Sequence, residues 1–247
     1  MTVEPWPQVD FERFGPVERT ALSRIRQQIS RRLTRNAMLI PHVTHHEQAD
    51  ITELDNLRRS LNESNADAPV KLTLLPFMVV ALARALQEFP QFNASLDANE
   101  LVLRHYYNIG IATETRSGLL VPVLRDVNNK DLYTVAAEIM TLTEAARNRA
   151  LTPAEMAGGT FTISSLGGIG GTGFTPIINA PEVAVLGVTR AAIWPVWTGS
   201  EFAPRLLLPL SLSYDHRVID GAAAARFSAR VAELLSSWLP NDGEAAF

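Results

Sequence analysis

The chain has 247 residues, 47% of them hydrophobic, a formal net charge of -4 and no cysteine. That length supports one large or two small domains with a substantial core. The balance of charge excludes a nucleic-acid surface, which needs clustered Lys and Arg, and the missing cysteines exclude disulfides, thiolate metal ligands and a cysteine nucleophile.

Residues 1–16 carry Pro5, Pro7, Gly15 and Pro16 with little periodicity and read as an extended arm or linker remnant. Leu22, Ile25, Ile29 and Leu33 follow helical spacing, which predicts an amphipathic helix over about 20–38. A strand is expected over 40–50. A helix follows from Thr52, with Glu53 and Asp55 in its first turn and Leu54, Leu57 and Leu61 on one face. The apolar run Leu72 to Ala83 predicts a buried helix over 72–88, ended by Pro90. It is too short for a bilayer, which takes about 20 residues, and no basic-then-apolar leader is present. A soluble, cytoplasmic protein is therefore expected, with no membrane and no nucleic-acid partner.

Short strands are expected near 101–105, 107–113 and 119–124. Asp131 caps a predicted helix that runs to 149, and Thr152-Pro153 opens another short one. Strands at 160–164, 183–189 and 205–214 precede a last helix over 221–238. The interleaving predicts an α/β (α+β) domain over 17–247, a mixed β-sheet with packed helices.

Four segments bear on chemistry. In "SYDHRVIDGA", an alternating strand stops at Asp215-His216-Arg217, and Asp220 and Gly221 open a helix. Asp220 reads as a helix N-cap. His216 reads either as a loop histidine with one hydrogen bond or as a general base, since neutral imidazole accepts a proton near pH 7. Arg217 and Asp220 would fix the loop by ion pairing. "FTISSLGGIGGTGFTPIINAPE" has Gly168, Gly170, Gly171 and Gly173 after a strand. A dinucleotide loop needs a helix next, and Phe174-Thr175-Pro176 is poor helix material. A serine at the end of that strand, Ser164 or Ser165, is suited instead to donating to a developing oxyanion. On a strand, His42, Thr44 and His46 share one face. Two histidines with Glu47 or Asp50 could bind zinc, but no further ligand cluster follows. A strand along a polar cleft is the expectation there, with no metal. The fourth segment, "SGLLVPVLRDVNNKDLYTVAAEI", is a strand, turn and helix with no chemistry of its own.

Together, "IPHVTHHEQADITEL", "NIGIATETRSGLLVPVLRDVN", "GGTFTISSLGGIGGTGFTPIINAPEVAVLGV" and "SLSYDHRVIDGAAAARF" resemble the catalytic domain of the dihydrolipoamide acyltransferases. These are the E2 components of 2-oxo acid dehydrogenase complexes, and the wording is most like the pyruvate type. The resemblance implies a chloramphenicol-acetyltransferase-like fold that works as a homotrimer, with coenzyme A (as acetyl-CoA) and a lipoyl group as substrates in a channel between subunits. It implies His216 as the base for the thiol, Ser164 as oxyanion donor from a neighbouring chain, and Asp220 as a support of the loop through an arginine. By position it gives Phe174 and Leu186 as channel-lining residues and Arg58 as a coenzyme A phosphate contact. Lipoyl domains and the E1 and E3 enzymes would be partners of a full-length protein, of which residues 1–16 would be a linker remnant. Family members with cubic cores end in a short apolar anchor, whereas residues 239–247 here are polar and turn-forming. A trimer is therefore the expected assembly, and a larger cubic core is the alternative. A branched-chain acyltransferase and a non-catalytic scaffold subunit are the rival functions. Retention of both His216 and Ser164 speaks against the scaffold.

Overall fold

The computed structural model describes residues 5–116 and 118–238. The tail from 239 onward lies outside the described residues. After an exposed arm with one 3-10 turn at Phe11–Arg13, Ser23 caps α1 (Arg24–Leu39) by accepting the Arg26 N–H. The predicted helix over 20–38 thus starts later, at its capping serine. β1 (His42–Asp50), α2 (Thr52–Ser64) and α3 (Leu74–Glu88) follow where the hydrophobic periods place them.

Next come β2 (Ala94–Asp97), β3 (Glu100–Leu103), β4 (Ile109–Ile111), β5 (Thr113–Thr115), β6 (Gly118–Leu120) and β7 (Val123–Leu124). α4 (Leu132–Arg147) is capped by Asp131, as predicted. The short helix expected after Thr152-Pro153 is only a 3-10 turn, Ala154–Met156. β8 (Phe161–Ser165), β9 (Ala184–Val188), β10 (Ala192–Trp197), β11 (Phe202–Asp215) and α5 (Gly221–Ser236) complete the order. Three strands were not expected from the sequence, β2, β5 and β10, and the strand expected over 119–124 is divided into β6 and β7. β10 contains Pro195, which ordinarily demotes a strand. Here it lies opposite Pro204 of β11, so neither strand loses a donor that its partner needed.

The main sheet runs β1-β11-β9-β8-β4-β7, with β10 also on β11. β4, β8 and β9 are parallel; β1, β7, β10 and β11 pair antiparallel. α3, α4 and α5 cover one face over a single core that includes Phe77, Phe92, Phe161, Phe227, Ile163 and Leu212. Phe92 and Phe227 stack with ring centroids 4.0 Å apart. The other face carries a smaller cluster, Ile40, Ile178 and Val185, beneath the irregular segment 172–180. Gly187 is required there, because an added Cβ would stand 2.7 Å from the Phe174 ring. Among the described residues no helix is long and apolar enough to cross a membrane.

Among the buried acids, Glu182 stands just before β9. It is 4% exposed and accepts from Asn179 Nδ2 at 3.1 Å. Burial pushes its carboxyl up to about 7, offset in part by hydrogen bonds and by the Arg104 charge. The folded state therefore holds this proton more tightly than the unfolded chain does. The resulting stability is complete below the ordinary carboxylate range and is lost as pH rises through about 7. Between pH 5 and 8 the native protein should lose about 3 kcal/mol relative to Glu182→Gln, at 1.36 kcal/mol per pH unit of displacement. Urea unfolding of both proteins across that range checks this, and parallel profiles would contradict it.

Candidate active site

His216 stands just past the end of β11, in the turn that leads to α5. The turn is fixed from both sides of the chain. The Asp215 N–H donates to Val183 O at 2.8 Å and the His216 N–H to Pro41 O at 3.1 Å, while the Val218 and Ile219 N–H groups both donate to Asp215 O. The imidazole itself is exposed, with the Tyr214 ring 5.9 Å away, centroid to centroid. Burial, and then the Asp220 charge, raises the Tyr214 phenol above its ordinary value, so the neighbour of His216 stays neutral.

Asp220 is the N-cap of α5, accepting the Ala223 N–H at 2.7 Å. Arg217 does not pair with it, which corrects the sequence expectation. Its guanidinium is bound by the buried Asp215 carboxylate, with Nη2 to Oδ2 at 2.6 Å and Nε to Oδ1 at 2.9 Å. The i,i+2 spacing on a tight turn brings these two together, and alternation alone gave no sign of it.

Ser164 lies near the carboxyl end of β8, half-buried, on the sheet face opposite α3 and α5. It is not brought to His216 within one chain. Ser164 is level with Gly187 and Gly187 with Ser211, whereas His216 is five residues further along β11. At about 3.4 Å per residue that is about 17 Å along the sheet, besides two interstrand steps of about 4.8 Å. Because β11 runs antiparallel to β8 and β9, the two side chains sit at opposite ends of the sheet.

Phe174 is half-buried and covers Gly187, one strand away from Ser164. Leu186 is corrected: it is 2% exposed and belongs to the main core, because β9 is central and covered on both faces. Arg58 is corrected too. Its guanidinium is held by Asp55 at 2.7 and 2.8 Å and by Leu72 O at 3.3 Å, which ties α2 to the chain before α3 and takes up the fork a phosphate would need.

His42, Thr44 and His46 of β1 share one polar face, as the alternation predicted. His42 Nδ1 meets Ile40 O at 2.8 Å and its Nε2 accepts the Ile178 N–H at 3.0 Å, so both ring nitrogens are taken. Thr44 bonds Ser213 at 2.8 Å and His46 Nδ1 meets Ser211 Oγ at 3.0 Å. Among the described residues no group of three or more His, Asp or Glu could hold a metal ion. Ser211, Ser213 and Gly187 were missed in the sequence. Their signal is a register, which only the pairing of distant strands reveals.

A family model described as 2-oxoacid dehydrogenases acyltransferase (catalytic domain) matches residues 14–240. The dihydrolipoyllysine-residue acetyltransferase component of the pyruvate dehydrogenase complex of Cupriavidus necator is 54% identical over 95% of this chain. The chain spans 42% of that relative's length. A solved structure of Azotobacter vinelandii dihydrolipoamide acetyltransferase, studied for the roles of a serine, a histidine and an asparagine in its catalytic mechanism, superposes with a TM-score of 0.94. It shares 50% identity, over 95% of this chain and 98% of that one. The intervals between those three residues equal the intervals from Ser164 to His216 and from His216 to Asp220, so an aspartate stands here where that protein has asparagine. Chloramphenicol acetyltransferase, at 16% identity and a TM-score of 0.55, shares the fold.

As an N-cap, aspartate and asparagine are nearly equivalent, whereas alanine removes the acceptor. Asp220→Asn should therefore unfold within a few tenths of a kcal/mol of the parent, and Asp220→Ala about 1 kcal/mol lower. Thermal unfolding of the three proteins decides this. Equal losses for both substitutions would assign Asp220 a charge-dependent partner instead of a cap.

Proposed function

Because the chain belongs to the family of 2-oxoacid dehydrogenase acyltransferase catalytic domains, we propose that it transfers an acetyl group between coenzyme A and a dihydrolipoyl thiol, in the core of a pyruvate dehydrogenase complex. The relatives at about half identity carry that activity in their names. The observation that carries the mechanism is the placement of His216, exposed on a braced turn at one end of the sheet, and of Ser164 at the other.

Two residues so far apart in one chain act on one carbonyl only if different copies supply them. A head-to-tail ring of copies does this at every interface. Exposed Trp6, Phe14, Ile193, Trp197 and Phe202 give such a ring apolar surface to bury, and a similar solved structure, at 51% identity, is a cubic core of the pyruvate dehydrogenase multienzyme complex. We take a homotrimer, the assembly that the family resemblance implies, as that ring.

In the reaction, a ring nitrogen of His216 removes the thiol proton, since a thiol with pKa near 8.5 is mostly protonated at neutral pH. The thiolate adds to the thioester carbonyl carbon and its oxygen becomes an oxyanion. The Ser164 hydroxyl donates to that oxygen. Collapse reforms the carbonyl and expels the second thiolate, which takes the proton back from the His216 imidazolium. No acyl-enzyme forms, which accords with a chain that has no cysteine. Asp220 acts at one remove by starting α5 where the histidine turn ends.

Acetyl transfer from acetyl-coenzyme A to free dihydrolipoamide tests this. His216→Ala should lower kcat by about 10²–10⁴-fold and Ser164→Ala by about 10²–10³-fold, both with native thermal unfolding. Transfer that is unchanged in His216→Ala would refute the base assignment. A starting protein active with isobutyryl- but not acetyl-coenzyme A would replace acetyl by branched-chain specificity.

A further inference from the structure

Four positions line up across the sheet on the face that carries Ser164. Ser164 of β8 pairs with Gly187 of β9, Gly187 with Ser211 of β11, and Ser211 with His46 of β1. Gly187 has no side chain, and the Phe174 ring occupies the space above it. The Phe174 N–H donates to Ser211 Oγ at 3.4 Å, and Ser211 Oγ lies 3.0 Å from His46 Nδ1. Ser211 is 1% exposed, so its hydroxyl finds its partners within the protein. An amide can only donate. Ser211 therefore accepts from Phe174 and is free to donate its own proton to His46. That order satisfies every group when His46 carries its proton on Nε2, and it runs Phe174 N–H to Ser211 O–H to His46 Nδ1. The His46 ring also packs on Gly173, whose Cβ position is 3.5 Å from Nδ1.

We infer that His46, through Ser211, is a positioning residue that latches the Gly173–Phe174 segment over Gly187 and so sets the size of acyl group accepted beside Ser164. The inference rests on the acyltransferase reading above. With the thioester carbonyl at Ser164, the acyl chain meets the Phe174 ring about one strand spacing, 4.8 Å, away. A ring pinned at its own amide leaves room for a two-carbon acyl group; a released ring yields to longer ones. Pocket contacts of this kind discriminate a methylene by about 10–200-fold.

The test uses the whole chain and two readouts. His46→Phe keeps a ring but removes the acceptor, and His46→Asn returns an oxygen near the position of Nδ1. Amide hydrogen exchange of Phe174 reports the latch whether or not the protein is an acyltransferase. It should quicken about tenfold in His46→Phe and return toward the parent rate in His46→Asn. The ratio of kcat/KM for acetyl- over butyryl-coenzyme A reports its use, and should fall about tenfold in His46→Phe and recover in His46→Asn. Unchanged exchange would overturn the latch. Faster exchange with an unchanged ratio, in a protein whose transfer depends on His216, would overturn the specificity role alone. Loss of that His216 dependence would instead overturn the reading beneath it.

Discussion

The register of β8, β9 and β11 is the constraint on which the rest of the molecule depends. Parallel pairing of β8 with β9 and antiparallel pairing of β9 with β11 send the end of β8 and the end of β11 in opposite directions. A slip of one residue would turn every side chain of a strand to the other face. Phe161 and Ile163 would then leave the core, and Thr162 and Ser164 would enter it. The core thus enforces where Ser164 and the turn that carries His216 stand. It sets His216 at one margin of the sheet and Ser164 at the other, the separation on which the proposed sharing of a site between copies rests.

The two faces of that sheet divide the work. The helix side is apolar and closed by stacked aromatics. The other side is a lattice of short polar contacts, among them Thr44 with Ser213, His46 with Ser211 and His42 with the backbone of residues 40 and 178. Of these groups Ser211 and Ser213 are buried, and buried polar groups fix a single arrangement when all are satisfied and destabilise the fold when one is lost. A polar, preorganised face next to Ser164 suits chemistry in which negative charge moves from one thiol, through an oxyanion, to another. Glu182, buried just before β9, shows the opposite side of that economy, since its carboxyl is raised to about 7.

Much of this was legible in the sequence, and the failures have physical causes. Asp220 and Asp131 were read as caps because capping is local and needs only a few neighbouring residues. The mixed sheet with packed helices followed from periodicity. β10 was hidden by Pro195, and its partner Pro204 is visible only once the strands pair. Leu186 was placed in a channel, whereas a central strand buried on both faces has no period to tell one face from the other. The pairing of Arg217 with Asp215, and of Arg58 with Asp55, was missed because ion pairs on turns and helices follow geometry that spacing alone leaves open. The row from Ser164 to His46 spans residues over a hundred positions apart in the chain, and no local pattern encodes it.

Whether one chain or two make the site is decided by mixing two inactive proteins. His216→Ala and Ser164→Ala chains, unfolded and refolded together in equal amounts, form interfaces at random. If His216 of one copy faces Ser164 of the next, about a quarter of the interfaces in a closed ring hold both intact residues. The mixture should then regain about a quarter of the parent transfer rate, while each protein refolded alone stays inactive. A mixture no more active than its components would place both residues in a single chain's site and contradict the proposed division.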